Sequence, residues 1–277
     1  MPEIRIVIPE NMDIALNTLI RAGLAGNKAE IVRGAITQYL TQVPTILSKD
    51  YDLESVFSPD GRILQVEYAM EASNKGLLSI GLQCKDGLLL IKEKPPVNHP
   101  KFPFLKNNGY FRPLKKLTDF IEISIAGIHT DGKLVLKEAA ALVEKSDPQS
   151  INIYSLAESL SFFLHGYTLK KDLRVLGTQL IMGGLNLDGE TCLFLIGPSG
   201  TIHEASIHAM GTRSESFINE LLPKYEQDLL LKDAIPLAMK IVLDGKSDVE
   251  RLLVDILTNE EKKFKELTLE QKKDYLQ

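Results

Sequence analysis

Histidine and cysteine side chains are the first candidates for chemistry in this sequence, because they can bind metals or form disulfides. His203 and His208 are five residues apart, and this spacing matches no common pattern of metal ligands. Cys84 and Cys192, the two cysteines, form neither a CxxC half-site nor a disulfide framework. We therefore expect no metal, no cofactor and reduced thiols.

Length and charge limit the classes of protein to consider. A chain of 277 residues, 44% of them hydrophobic, can bury a sizeable core. Its net charge of −5 gives no general attraction to nucleic acid or to an anionic membrane. The sequence has no apolar run long enough for a membrane span, and its first residues do not resemble a signal peptide. These features favour a cytoplasmic protein without membrane contact.

The segment from residue 51 to residue 74, YDLESVFSPDGRILQVEYAMEASN, organises the rest of the chain. Pro59, Asp60 and Gly61 form a turn tripeptide, because Pro fixes φ, Asp bonds its own backbone and Gly accepts positive φ. After Arg62 the apolar residues recur at nearly helical spacing. The segment therefore predicts a turn followed by a short helix, whose apolar face lies on the strand GLLSIGL.

The order of residues in this segment, YD followed by VFSPDGR and QVEYA, resembles the N-terminal signature of proteasome α-type subunits. The family usually has Tyr-Asp-Arg and four residues between Asp and Val-Phe, whereas here Leu53 follows Asp52 and the gap is three residues. The resemblance implies that Tyr51, Asp52, Pro59 and Tyr68 lie between adjacent ring subunits and hold a pore open.

The remaining pattern predicts an α+β fold. Strands come first, followed by two helices, three strands, two more helices and a strand, with a charged helix at the end. This order predicts two antiparallel sheets between helical layers. It resembles the four-layer α-β-β-α sandwich of N-terminal nucleophile hydrolases and proteasome subunits, over nearly all of residues 51–277. In the last segment we expect a solvated helix face that carries Lys262, Lys263, Lys265, Lys272 and Lys273.

The resemblance also indicates where a catalytic centre would lie. In catalytic β-type relatives the nucleophile is an N-terminal threonine at the start of the first strand, and its own α-amino group is the base. After Gly76 this sequence has Leu77 and Leu78 instead. Glu93 and Lys116 lie near the family's catalytic acid and lysine, but they have no threonine to support. We expect no catalytic residues.

Lys116 has a second possible role. In α-type subunits a lysine near this position lines a pocket between neighbours and pairs with the C-terminal carboxylate of an ATPase activator. Lys115-Lys116-Leu117 resembles that site, and an ammonium group suits a carboxylate. The alternative is an ordinary pair of solvated lysines.

Residues 1–44 predict a separate small unit. Ile4, Ile6 and Ile8 alternate as in a short strand, and two helices follow, the second with Asn27 as its N-cap. One strand and two short helices bury little apolar surface alone, so we expect this unit to fold as a dimer. The pattern resembles the ribbon-helix-helix fold, an obligate dimer.

That second resemblance raises the possibility of DNA binding. It implies that Glu3, Arg5 and Val7 face the major groove, and that Asn27 and Lys28 at the start of the second helix hold a phosphate. Base readout needs donors and acceptors, which the Val7 side chain lacks. The unit also has four basic and four acidic residues, so it offers little attraction to phosphate. Dimerisation alone is therefore the favoured interpretation.

The sequence predicts a non-catalytic proteasome α-like subunit that forms or gates a ring and carries an N-terminal dimerisation module. Expected partners are copies of itself, β-type subunits and an ATPase activator. A dimeric module pairs chains two by two, so we expect an even number of chains. One alternative is a ribbon-helix-helix regulator that binds DNA and uses the large domain to oligomerise. Another is an N-terminal nucleophile peptidase or ligase.

Overall fold

The computed structural model describes residues 7–42, 56–95, 113–146, 151–170 and 172–276. The chain divides into two compact units, Met1–Leu53 and Glu54–Gln277. The domain borders predicted at residues 44 and 51 lie outside the described residues.

The first unit contains helix α1 (Glu10–Arg21) and helix α2 (Lys28–Gln42). Both helices were predicted, and both are confirmed. Gly23 has a φ of 73°, a left-handed conformation that glycine adopts without steric cost, and it lies in the connection between the helices. Of the predicted strand, Ile4 and Ile6 lie outside the described residues, and Val7 and Ile8 are not in a strand.

The second unit contains helices and strands in the order that the sequence predicts, with three further short strands. In chain order the elements are α3 (Leu64–Asn74), β1 (Ser79–Cys84), β2 (Gly87–Glu93), β3 (Leu114–Lys116), β4 (Ile121–Gly127), α4 (His129–Lys145), α5 (Ile153–Thr168), β5 (Thr178–Leu185), β6 (Thr191–Ile196), β7 (Ile202–Glu204), β8 (Ile207–Met210), α6 (Ser214–Leu221), α7 (Leu231–Leu243), β9 (Leu252–Thr258), β10 (Phe264–Glu266) and α8 (Leu269–Asp274).

The strands form two five-stranded sheets whose neighbouring strands are all antiparallel. The first sheet has the order β10-β9-β2-β1-β8, and the second has the order β3-β4-β5-β6-β7. Helices α6 and α7 pack on the outer face of the first sheet, and α4 and α5 pack on the outer face of the second. A third apolar cluster fills the space between the sheets. The described part of this unit is thus a sandwich of two sheets between two helical layers.

The hairpin of β1 and β2 shows how the sequence pattern produces these layers. Cys84 pairs with Gly87, which leaves a two-residue loop where the Asp-Gly dipeptide predicted a turn. Because side chains alternate along a strand, Leu88 and Leu90 lie between the sheets while Leu89 and Ile91 pack against the helical layer. Every residue of β2 is buried for this reason.

Strand β8 was not predicted. The segment after Gly177 was expected to give three strands, but the third is divided in two. After β7 the chain leaves the second sheet at Ala205 and Ser206 and joins the first sheet as β8, next to β1. One chain segment therefore links the two sheets.

The predicted helix face with five lysines is wrong in two respects. Lys262 and Lys263 lie in the loop between β9 and β10, and Lys265 belongs to β10, because this segment pairs with β9 as an edge strand. Lys272 does lie on a helix, but it is 5% exposed and its Nζ donates a hydrogen bond to the Leu252 carbonyl at 2.8 Å. Burial lowers the pKa of Lys272.

Gly76, between α3 and β1, lies against the backbone of the second sheet. A Cβ atom placed on Gly76 would be 2.1 Å from the amide nitrogen of Gly127, where no relaxation of a side chain could relieve the clash. We expect Gly76→Ala to lower the free energy of unfolding by roughly 2–4 kcal/mol. Chemical denaturation measures this change.

Gly166→Ala is the matched control for this substitution. Gly166 lies inside α5, and an added Cβ there would meet no atom within 4 Å. The control should stabilise the protein by about 0.5–1 kcal/mol, because alanine favours the helix. Equal effects of the two substitutions would contradict the close approach at Gly76.

Candidate functional site

The turn before α3 is held by its own side chains. Gly61 donates its N–H to the Ser58 carbonyl at 2.8 Å and has a φ of 80°, which explains why glycine occupies this position. Ser58 is buried, and its hydroxyl both donates to the Arg62 carbonyl and accepts from the Arg62 N–H, each at 3.0 Å. The Arg62 guanidinium pairs with Glu67 and lowers the pKa of that carboxyl group. This network fixes the start of the helix.

The structure places the four predicted ring-contact residues unequally. Pro59 is exposed in the turn, and Tyr68, on α3, has 41% of its surface exposed. Phe57, which the sequence reading did not select, is 71% exposed beside them in the chain. Tyr51 and Asp52 lie outside the described residues. Two of the four are thus on the surface of this unit, as a ring contact requires.

The C-terminal end of α3 is fixed to the second sheet. Gln179 of β5 donates its side-chain amide to the Ser73 hydroxyl and to the Asn74 side-chain oxygen, at 2.7 Å in both cases. Gly76 donates its N–H to the Ser73 carbonyl at 3.1 Å, and the chain continues directly into β1. The first residue after Gly76 therefore has a docked helix before it, not a free amino group.

Leu77 is the residue that the resemblance predicts at the position of the nucleophile in catalytic relatives. Its side chain has no group that could attack a carbonyl carbon, and its nitrogen belongs to a peptide bond. Its carbonyl oxygen accepts a hydrogen bond of 2.5 Å from Nζ of Lys92. The two features that define an N-terminal nucleophile, the hydroxyl or thiol and the free α-amine, are both missing at this residue.

Glu93, which the resemblance puts near the family's catalytic acid, has a structural contact. Its carboxylate accepts a hydrogen bond of 2.6 Å from Nη2 of Arg213, and the same nitrogen donates to the Val242 carbonyl at 3.1 Å. Arg213 has a φ of 63°, the left-handed region that is uncommon for residues other than glycine. The pair joins β2 to the layer of α6 and α7.

Lys92 is the residue of this region that the sequence reading missed. It is 3% exposed, and burial lowers its pKa to about 7, although the neighbouring Glu93 opposes part of that effect. The alternation of side chains along β2 indicates that Lys92 is buried, because Lys92 falls on the same face as Leu88 and Leu90, between the sheets. A lysine on a face of this kind must be buried.

Lys116 is exposed at the end of β3, and its Nζ donates to the Phe264 carbonyl of β10 at 2.7 Å. Next to it, Phe264 donates its N–H to the Asp119 carbonyl at 2.8 Å, and the Asp119 carboxylate pairs with Lys263 at 2.7 Å. These contacts join edge strands of the two sheets. Lys116 therefore has a structural contact within the chain, and its role in an activator pocket stays a prediction.

The candidate phosphate-binding residues of the first unit are occupied by contacts within that unit. The Asn27 side chain caps α2 by accepting the N–H of Glu30 at 2.9 Å, and the Glu30 carboxylate accepts the N–H of Gly26 at 2.8 Å. Lys28 pairs with Asp13 of α1 at 2.6 Å. Carboxylates of the chain itself thus occupy the Gly26 N–H and the Lys28 ammonium group, and Arg5 lies outside the described residues.

The histidines and cysteines do not come together as a metal site. His203 lies on β7 and His208 on β8, which belong to different sheets. Cys84 and Cys192 are both free and buried. Among the described residues, no group of three or more His, Cys, Asp or Glu side chains is placed to hold a metal ion. In the same ranges, no helix combines the length and apolar character needed to cross a bilayer.

The low pKa of Lys92 predicts a pH-dependent stability difference. Between pH 7 and about 10.5 the unfolded chain holds the lysine proton and the folded chain has lost it, so the stability of the wild type rises with pH in this window. Below pH 7 the full cost of burying the charge applies. We expect Lys92→Met to be more favourable relative to the wild type at pH 7 than at pH 10, by roughly 3 kcal/mol.

Thermal unfolding of both proteins at the two pH values measures this difference. Lys75→Met is the control, since the Lys75 side chain is 73% exposed and its ion pair with Glu71 is on the surface. The control should shift the melting temperature equally at both pH values. A pH-independent effect of Lys92→Met would show that the buried amine is not neutral above pH 7.

Two family models match the chain in adjacent segments. The model of the N-terminal signature of A-type proteasome subunits matches residues 51–72, and the model described as "Proteasome subunit" matches residues 73–251. The first match covers the turn and most of α3. The second covers the sandwich from β1 to α7 and ends before β9.

Curated relatives agree with the family models. The chain is 30% identical to the proteasome alpha subunit of Methanothermobacter thermautotrophicus over 230 residues, which are 80% of this chain and 90% of the relative. It is also 30% identical to the proteasome alpha subunit of Methanoregula boonei over 228 residues, 80% of this chain and 92% of the relative. The alpha type-4 proteasome subunit of Spinacia oleracea is 29% identical over 198 residues, 70% of this chain and 78% of the relative.

The two adjacent matches join the α-type signature to the sandwich that the structure describes, and at Leu77 the sandwich has neither a hydroxyl nor a free amine. The chain belongs to the proteasome subunit family, and it is of the non-catalytic α type.

Proposed function

We propose that this chain is a ring-forming α-type subunit that assembles with β-type subunits of a proteasome and contributes no catalytic residue. The observation that carries the proposal is the junction of α3 and β1. A docked helix runs without interruption into the strand, and Leu77 occupies the first position. The chain therefore keeps the two-sheet fold, but it has no nucleophile and no free amine at the junction. We place the assembly in the cytoplasm.

The test of this function uses co-expression with a β-type subunit from the same genome. We expect one assembly that contains both chains and hydrolyses peptides. A threonine-directed covalent inhibitor should add mass to the β-type chain alone, as measured by intact-protein mass spectrometry. Inhibitor bound to this chain would contradict the proposal and favour an N-terminal nucleophile enzyme. Failure to co-assemble with the β-type chain would contradict the ring function.

The contact between neighbouring subunits is proposed to involve Tyr51, Asp52, Pro59 and Tyr68. Support comes from the exposed positions of Pro59 and Tyr68 beside a turn whose own hydrogen bonds fix its shape. An aromatic side chain on a rigid element suits a subunit interface, because it buries much area and loses little conformational entropy. The same region would frame the entrance of the ring.

Tyr68 allows a direct test of the contact. We expect Tyr68→Ala to weaken ring assembly by about tenfold or more, since removal of a buried interface aromatic costs roughly 1–2 kcal/mol or more. Tyr68→Phe keeps the aromatic ring and should assemble nearly as well as the wild type. Size-exclusion chromatography with light scattering, over a dilution series, compares the three proteins. Unchanged assembly of Tyr68→Ala would remove Tyr68 from the interface.

Two further assignments complete the proposal. Lys116 would bind the C-terminal carboxylate of an ATPase activator through its ammonium group, which is exposed although it also contacts Phe264. Residues 1–44 would form a ribbon-helix-helix-like dimerisation module, so that the assembly has an even number of chains. The hairpin of α1 and α2, closed by the Lys28–Asp13 pair, supports this second assignment.

A further inference from the structure

One side chain of the second sheet holds α3 by two directional hydrogen bonds. Nε2 of Gln179 lies 2.7 Å from the Ser73 hydroxyl and 2.7 Å from the Asn74 side-chain oxygen, so each of its two N–H groups has an acceptor. The Ser73 hydroxyl itself donates to the Met70 carbonyl at 2.7 Å, so it accepts the N–H of Gln179. Because Gln179 and Ser73 are both buried, water competes little with the bond between them.

The first residues of β5 give Gln179 a rigid base. Next to it, the Thr178 hydroxyl donates to the Ala126 carbonyl of β4 at 2.9 Å. A Cβ atom placed on Gly177 would lie 3.1 Å from Cβ of Ala72, so α3 packs closely on the start of this strand. Gln179 therefore has little freedom to follow a movement of α3, and it fixes the helix instead of adapting to it.

The two bonds determine which side of α3 faces outward. At 100° per residue, Ser73 lies about 40° from the buried Ala69 and about 140° from the exposed Tyr68 around the helix axis. The apolar contact of Ala69 alone would tolerate a small rotation of the helix, because the hydrophobic effect has no preferred direction. Hydrogen bonds weaken steeply when their angles change, so they resist this rotation and keep Tyr68 on the surface.

We propose that Gln179 is a positioning residue for ring assembly, because its two hydrogen bonds set the orientation in which α3 presents Tyr68 to the neighbouring subunit. The proposal rests on the proposed function, in which Tyr68 is part of the ring contact. Gln179 is 5% exposed, so it acts through the helix and not by its own contact with a neighbour. A polar contact inside the subunit thus prepares the surface that assembles.

The test compares assembly of the full chain with that of Gln179→Met, which keeps an unbranched side chain of similar length and removes both donors. Size-exclusion chromatography with light scattering, over a dilution series, gives the concentration at which half of the chains are assembled. We expect this concentration to rise about fivefold to tenfold, because α3 can then rotate. Hydrogen exchange of residues 64–74, measured by mass spectrometry, should be faster in the unassembled variant than in the unassembled wild type.

Thr178→Val is the matched control. It removes one buried hydrogen bond from the neighbouring residue of β5 and keeps the shape of the side chain, but the lost partner belongs to β4 and not to α3. We expect a lower melting temperature and an unchanged assembly concentration. An equal loss of assembly in Thr178→Val would show that assembly follows general stability, and it would overturn the positioning role.

A second substitution, on α3, separates positioning from stability. Gln179→Met leaves the buried Ser73 hydroxyl without this donor, and adding Ser73→Ala removes that polar group, so the double variant should regain part of the lost melting temperature. Its assembly concentration should stay raised, because the directional bonds are still missing. Recovery of assembly together with stability would contradict the proposal.

Ser73→Ala alone covers the case in which Gln179→Met does not fold. It removes one of the two bonds without a change in β5, and it should raise the assembly concentration severalfold. Unchanged assembly of this variant would also count against the positioning role.

The outcomes distinguish the positioning role from the ring function. A wild type that forms no ring, alone or with a β-type subunit, would overturn the proposed function and this inference with it. A wild type that forms rings, together with a Gln179→Met variant that assembles at the same concentration, would overturn the positioning role alone. The effects of Gln179→Met and Tyr68→Ala should be less than additive, because both act on one contact, and full additivity would contradict an action of Gln179 through Tyr68.

Discussion

The close approach of the backbone at Gly76 is the constraint on which the rest of the second unit depends. Gly76 lies against the amide of Gly127, and its carbonyl accepts the N–H of Thr212 at 2.7 Å. Three chain segments, from the ends of α3, β4 and β8, therefore meet at one residue without a side chain. The approach fixes the direction in which α3 enters β1, and it buries Lys92 against the Leu77 carbonyl. The docked helix thus depends on the close approach at Gly76, whereas the missing nucleophile follows from the leucine at position 77.

The two sheets are connected along both sides of the sandwich, once by the chain itself and once by contacts between edge strands. On one flank the chain itself passes from the second sheet to the first at Ala205 and Ser206. On the other flank the closure is non-covalent, through Lys116, Asp119 and Phe264. The first connection follows from chain continuity, and the second depends on hydrogen bonds and one ion pair.

The sequence predicted the elements that have local causes. Asp86 and Gly87 set the hairpin, and the turn at Pro59–Gly61 precedes α3 as expected. The features it missed depend on distant partners. Strands β8 and β10 have four and three residues, too few for a periodic signal, and they exist because β1 and β9 offer free edges. Lys272 is buried because the Leu252 carbonyl, twenty residues earlier, accepts its ammonium group. No local pattern contains that information.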